Sequence, residues 1–138
     1  IVLTVQKEVA QRICAEPGDM SLLALSVQVY GKPHIALQIS AEAFFPTPKV
    51  DSAVLVVDIY PSPLVREELL EAFFKLIKAG FSQKRKTLRN SLSAGLHISL
   101  TEAAALLTNA NIDPQRRAET LSIEEWEGLS QRLMDQPK

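Results

Sequence analysis

Apolar positions in this chain keep one rhythm up to about residue 60 and another after it. Ile1 to Val5 is a short β-branched run and predicts a buried strand. Gln6 to Ala15 reads as a helix with Val9, Ala10 and Ile13 on one face, ended by Glu16-Pro17-Gly18-Asp19. Leu22 to Tyr30 predicts a second helix, with Gly31 as its stop and Pro33 beyond. Ile35 to Ile39 predicts a strand. Ala53 to Tyr60 predicts another, with Val54, Leu55, Val56, Val57 and Ile59. That strand is apolar on both faces, so it is expected to be covered on both. Strand and helix alternate, which argues for an α/β layer.

Beyond Pro61-Ser62-Pro63 the pattern is helical throughout. Val65, Leu69, Leu70, Phe73, Phe74, Ile77 and Phe81 form one stripe, with Gly80 as a kink or stop. Gln83 to Leu92 predicts a short basic helix carrying Leu88 and Leu92, stopped near Gly95. Ser99-Leu100-Thr101-Glu102 and Ser122-Ile123-Glu124-Glu125 have capping-box spacing. Asp113-Pro114 reads as an N-cap followed by proline in the first helical position. The last helix places Ile123, Trp126, Leu129 and Leu133 on one side, with Trp126 as a core anchor. The expected organisation is an incomplete α/β domain over 1–60, a linker over 61–63 and a small all-α domain over 64–138.

Composition narrows the classes. In 138 residues, 46% are apolar and 22% charged, as in soluble globular proteins. No apolar run reaches the ~18 residues of a membrane span, and the start lacks the features of a secretory signal. Cys14 is the one cysteine, which excludes an intramolecular disulfide and suits a reducing, cytoplasmic compartment. It reads as a small apolar core residue. His34 and His97 lack metal-ligand spacing. The chain opens without Met inside an apolar run, and three strands with two helices barely cover a sheet. A preceding half of the domain is therefore expected.

The formal charge of −1 conceals an asymmetry. Residues 1–63 carry 4 basic and 6 acidic side chains, and residues 64–138 carry 11 and 10. Between Ala72 and Thr101 there is no acid, while Lys75, Lys78, Lys84, Arg85, Lys86 and Arg89 all fall there. A solvated helix face usually interleaves both signs. A block of one sign is the footprint of a phosphate backbone.

Two segments carry candidate chemistry. In Phe44-Phe45-Pro46-Thr47-Pro48-Lys49-Val50-Asp51-Ser52 the prolines fix φ, remove two donors and hold Phe45 and Thr47 extended. The result is a stiff ledge with aromatic rings at its lip. It either receives an extruded base by stacking or plugs the space between two domains. In Ala79 to Leu92 the cations recur at 84, 85, 86 and 89, and on a helix Arg85 and Arg89 share a face.

Taken together, VQKEVAQRI (5–13), ALSVQVY (24–30), FFPTPKVDSAV (44–54), AGFSQKRKTLRNSL (79–92) and RAETLSIEEW (117–126) resemble the KsgA family of small-subunit rRNA adenine N6,N6-dimethyltransferases. The matches run in family order over nearly the whole chain. The resemblance implies a Rossmann-like methyltransferase domain followed by a helical C-terminal domain. It implies methyl transfer from S-adenosylmethionine to N6 of two adjacent adenines in a 3′-terminal hairpin of small-subunit rRNA, within the pre-ribosomal subunit. It maps the base-stacking aromatic onto Phe44 and places Phe45 at a variable position, where it is expected to pack behind the ledge in the full-length enzyme. Lys84, Arg85, Lys86 and Arg89, singled out by the charge pattern, are expected to bind RNA weakly, with Lys49 near the base pocket. The family's Gly-rich cofactor loop and N-L-P-Y-like tetrapeptide have no counterpart here. This chain alone is expected neither to bind S-adenosylmethionine nor to be active.

Two alternatives remain open. An Erm-type large-subunit rRNA methyltransferase shares the FxPxPKV loop but matches the two later segments less well. A non-catalytic RNA-binding or ribosome-assembly module could use the same scaffold. By the family's topology, Ala53 to Tyr60 is the middle strand of three, antiparallel to Ile1 to Val5, with Ile35 to Ile39 on its other side. Ile1 to Val5 is then an unprotected apolar edge, expected to self-associate, to be displaced or to fray.

Overall fold

A computed structural model of the chain describes residues 1–136. Strand β1 (Val2–Gln6) leads directly into helix α1 (Lys7–Ile13). Helix α2 (Leu22–Gln28) follows, its N-terminus capped by Ser21, whose hydroxyl accepts from the Ala24 N–H. Strands β2 (Gly31–Ile39) and β3 (Ser52–Ile59) complete a sheet of order β1-β3-β2, with both pairings antiparallel. Val2 pairs with Val56 and Val5 with Ala53 on one side of β3; Gly31 pairs with Ile59 and Ile35 with Leu55 on the other. The central place of β3 and the antiparallel pairings are as the family resemblance implies.

Alternate β3 residues Ala53, Leu55 and Val57 are buried with Ala10 and Ile13 of α1, forming the sheet's own core. The opposite face is more open than predicted. Val54 and Val56 are half-buried, and on the flanking strands Val2 is 68% exposed and Leu37 58%. Both faces of β3 are apolar, but this chain supplies a helical layer for only one.

The second strand begins earlier than its periodicity suggests. Gly31, expected as a helix stop, is the first residue of β2 and is buried. A Cβ there would lie 2.7 Å from Val57 Cγ1 and 2.8 Å from the Asp58 carbonyl oxygen. Close backbone approach is thus the need that glycine meets. Pro33 sits within β2, tolerated because β2 is an edge strand. A register shift between Ile35 and Leu37 marks a bulge.

After Pro61-Ser62-Pro63 come helices α3 (Leu70–Gly80), α4 (Leu88–Leu96), α5 (Leu100–Asn109) and α6 (Ile123–Met134). Both capping boxes form, at Ser99/Glu102 and Ser122/Glu125. Phe73, Leu76, Ile77, Leu88, Leu92, Leu107, Leu121 and Trp126 are fully buried together. Each contributes on the order of 2 kcal/mol by leaving water. Ala24 and Leu25 of α2, with Val29 at its C-cap, join this cluster from across the proline linker, so the helical core includes a helix that precedes it.

Two helical expectations fail. Gln83 to Thr87 is turn and loop, and α4 starts only at Leu88, where the Thr87 hydroxyl accepts from the Asn90 N–H at 3.4 Å. Arg85 has φ +65°, which breaks helical geometry. Asp113-Pro114 opens a turn, not a helix. The Asp113 carboxylate accepts from the Gln115 N–H at 2.9 Å, an Asx turn that satisfies the donor locally. The helix α4 does stop near Gly95, ending at Leu96 with His97 as its cap in the left-handed region at φ 58°.

Candidate nucleic-acid interface

The aromatic loop joins the end of β2 to the start of β3. Ser40 caps a single 3-10 turn, Ala41–Ala43, and Phe44 leaves it extended at φ −110°, ψ 153°. The Phe44 N–H donates to the Ala41 carbonyl at 3.2 Å. Asp51, at the far end, accepts the Ala41 N–H on Oδ1 at 2.9 Å. Its own carbonyl accepts the Lys7 N–H, the first donor of α1, at 3.0 Å. One residue therefore ties the loop's entrance to its exit and the exit to α1. The Phe45-Pro46 peptide is cis.

The two rings differ in exposure. Phe44 is 37% exposed and partly packed, whereas Phe45 is 100% exposed. Phe45 packs against no side chain among the described residues; its expected packing behind the ledge concerns the full-length enzyme. Lys49 is exposed and, with Gln6, Lys7, Glu8, Gln11, Val50 and Asp51, lines an open cleft of about 450 Å³.

The basic segment is a loop between α3 and α4, not a helix face. Lys84, Arg85 and Lys86 are exposed and line a cleft of about 200 Å³ with Gly80, Phe81, Gln83, Arg117, Ala118 and Glu119. Arg85 and Arg89 do not share a helical face, because only Arg89 is on α4. Its side chain is half-buried, and its Nε is buried without a hydrogen-bond partner among the described residues.

Neighbouring arginines 116 and 117 differ in role. Arg116 makes a two-pronged contact with Glu125 and donates to the Thr120 carbonyl at 2.7 Å. The Arg116 hydrogen bond holds the Glu125 carboxyl below its ordinary range, and Glu125 in turn raises the guanidinium. Arg117 forms no ion pair among the described residues and faces the basic loop. Arg12 and Lys84 share a further cleft with Phe81 and Glu119. Thus α1 touches the aromatic-loop cleft through Lys7 and Gln11 and the basic-loop side through Arg12. Sequence reading passed over Arg12 and Arg117. Their signal was weak, because each sits among residues of mixed charge.

No group of three or more His, Cys, Asp or Glu side chains is placed to hold a metal among the described residues. Burial pushes the Cys14 thiol up, away from nucleophilic character. The glycines do not fit a cofactor cradle. Gly31, Gly80 and Gly95 are filled against Val57, Trp126 and Ala79, while Gly18 and Gly128 stand alone.

The geometry agrees with what this chain resembles. It is 50% identical over 130 residues to ribosomal RNA small subunit methyltransferase A of Dehalococcoides mccartyi, covering 94% of this chain and 44% of that protein. It is 42% identical to the protein of the same name from Desulfitobacterium hafniense, covering 97% and 49%. The chain thus spans about half the length of the curated relatives it matches. Its fold is shared with a dimethyladenosine transferase from Plasmodium falciparum (TM-score 0.73, 21% identity, 93% of this chain and 54% of that one). It is also shared with the 23S rRNA methyltransferase ErmE (TM-score 0.67, 22% identity, 97% and 54%). The ribosomal RNA adenine dimethylase family matches residues 1–132, and the chain belongs to that family.

Proposed function

We propose that this chain is the RNA-facing C-terminal portion of an S-adenosylmethionine-dependent enzyme that dimethylates N6 of two adjacent adenines in a 3′-terminal hairpin of small-subunit rRNA. In this reading β1, β3 and β2 are the last strands of a Rossmann-like methyltransferase sheet within residues 1–60. Residues 64–138 are the helical domain that meets the cytoplasmic pre-ribosomal subunit. The observation that carries the reading is the 42–50% identity to small-subunit rRNA methyltransferases, which spans both the aromatic and the basic loops. The 23S rRNA methyltransferase ErmE, at 22% identity, shares the fold alone and does not carry the large-subunit alternative.

The chemistry assigned to these residues is positioning. The N6 amine is a weak nucleophile, its lone pair delocalised into the ring, so orientation at the methyl donor governs the rate. Phe44 stacks on the extruded base. Lys49 lies in the neighbouring cleft, and Lys84, Arg85, Lys86 and Arg89 hold the backbone, with Arg12 and Arg117 beside them. The donor's site and the acceptors for the amine belong to the other half of the enzyme, so the chain alone is inactive.

Binding to an rRNA hairpin at several salt concentrations tests this. Lys84→Glu with Lys86→Glu removes two exposed loop cations without disturbing Arg85. Affinity is expected to fall, and the slope of log K against log salt to flatten by roughly 1–2. An unchanged affinity and slope would remove the basic loop from the interface.

A further inference from the structure

We propose that Asp51 is the positioning residue for Phe44, acting through a tether of two consecutive hydrogen bonds. The inference rests on the stacking role assigned to Phe44 above. The loop from Ser40 to Asp51 leaves the sheet at the Ile39–Ser52 pair and carries two prolines. Prolines stiffen a segment but do not fix where it stands relative to the sheet. Across its span, among the described residues, the loop is closed by the Asp51 carboxylate accepting from the Ala41 N–H at 2.9 Å. The peptide carbonyl of that same Ala41 accepts the Phe44 N–H at 3.2 Å. Movement of the carboxylate is thus passed through one 3-10 turn to the backbone that carries the ring.

Asp51 is itself fixed from both sides. Its carbonyl accepts from Lys7 at 3.0 Å, and the next residue, Ser52, pairs with Gln6 and Ile39 at once. The ring therefore takes its place from the sheet and from the start of α1. The Asp51–Ala41 bond is solvent-exposed, so its loss leaves no buried donor unsatisfied and does not threaten the fold. Asp51 has this role because a short carboxylate reaches back to a main-chain donor at the mouth of the loop. Asparagine offers the same oxygen without the charge.

Two measurements on the 138-residue chain test the proposal. Amide exchange reads the tether without RNA. In Asp51→Ala the Ala41 and Phe44 amides are expected to exchange about fivefold faster, and in Asp51→Asn to stay near the unsubstituted rate. Retained protection in Asp51→Ala, or its loss in Asp51→Asn, overturns the proposal. An rRNA hairpin with 2-aminopurine at the methylated position then reads the ring. The fluorescence change at saturation is expected to disappear in Phe44→Ala and in Asp51→Ala but to persist in Asp51→Asn. Each of the four proteins is read at its own saturating concentration, so the weaker affinity that follows from lost stacking does not enter the comparison. A signal lost in Phe44→Ala but kept in Asp51→Ala overturns the positioning role alone. A signal kept in Phe44→Ala, or absent in the unsubstituted chain, overturns the stacking role, and the proposal falls with it.

Discussion

At the residue scale, adjacent side chains of one type divide between structural and surface roles. Phe44 is anchored by the turn before it, while Phe45 projects wholly into solvent. Stacking on a base is worth roughly 1–3 kcal/mol, or about 5- to 150-fold. In the full-length enzyme, Phe44→Ala is expected to lower methylation at least tenfold and Phe45→Ala less than about threefold. The reverse order would assign the ring to Phe45. Arg116 and Arg117 divide in the same way, and Glu125 gives the structural partner a measurable pH signature. Its folded pKa lies below the ordinary range, so the stabilisation is fully present above that range. It is lost as pH falls through the lowered folded value, with Arg116 charged throughout. Glu125→Gln keeps an oxygen for the Ser122 capping box and removes only the charge. Chemical denaturation should show a loss of about 0.5–1 kcal/mol at neutral pH that closes in acid. A difference that persists in acid would mean the pair acts through shape alone.

At the element scale, two glycines in helices have opposite expectations. A Cβ on Gly95 would lie 2.5 Å from Ala79 Cβ and 2.7 Å from Ala79 Cα, where α4 crosses α3. Gly95→Ala is expected to destabilise by about 1–3 kcal/mol and to displace the basic loop between those helices. Gly128, within α6, has nothing within 4 Å of its would-be Cβ, so Gly128→Ala should stabilise by about 0.5–1 kcal/mol. Paired melts of the two variants check both signs, and equal shifts would refute the packing account. The same contrast shows what the sequence made legible. Periodicity located β1, β3 and the helices, and both capping boxes were readable because their hydrogen bonds are local. The start of α4 was not. The Leu88/Leu92 spacing extends backward into Gln83 to Thr87, and no local rule announces a positive φ at Arg85. Gly31 was misread because its constraint is Val57, 26 positions away in sequence. In the candidate site, the motif singled out Phe44 and Lys49. The exposure of Phe45, and the places of Arg12 and Arg117 in two clefts that Lys84 also lines, depend on tertiary placement.

At the scale of the whole molecule, the sheet sets how this chain behaves in solution. The strand β1 is neither displaced nor frayed; it pairs with β3 from Val2 to Gln6. Ile1 and Val57 exchange both main-chain hydrogen bonds, Ile1 donating at 3.0 Å and accepting at 2.8 Å. In an antiparallel ladder such pairs alternate, so Leu3 and Val5 also face β3 with their N–H and C=O groups. Val2 and Thr4 then present theirs to the free edge. That edge carries no Lys or Pro between Ile1 and Val5, and Val2 and Leu3 are 68% and 47% exposed. An apolar strand with open donors and acceptors templates pairing with another copy. The 138-residue chain is therefore expected to self-associate, its weight-average mass in sedimentation equilibrium rising with concentration. Thr4→Pro isolates the cause, since it removes an outward donor and leaves the β3 ladder intact. It should restore the monomer without changing the helical circular dichroism signal. Lys84→Glu with Lys86→Glu, remote from β1 in sequence, should not. If the unsubstituted chain stays monomeric at high concentration, or Thr4→Pro associates as before, the edge is not the interface.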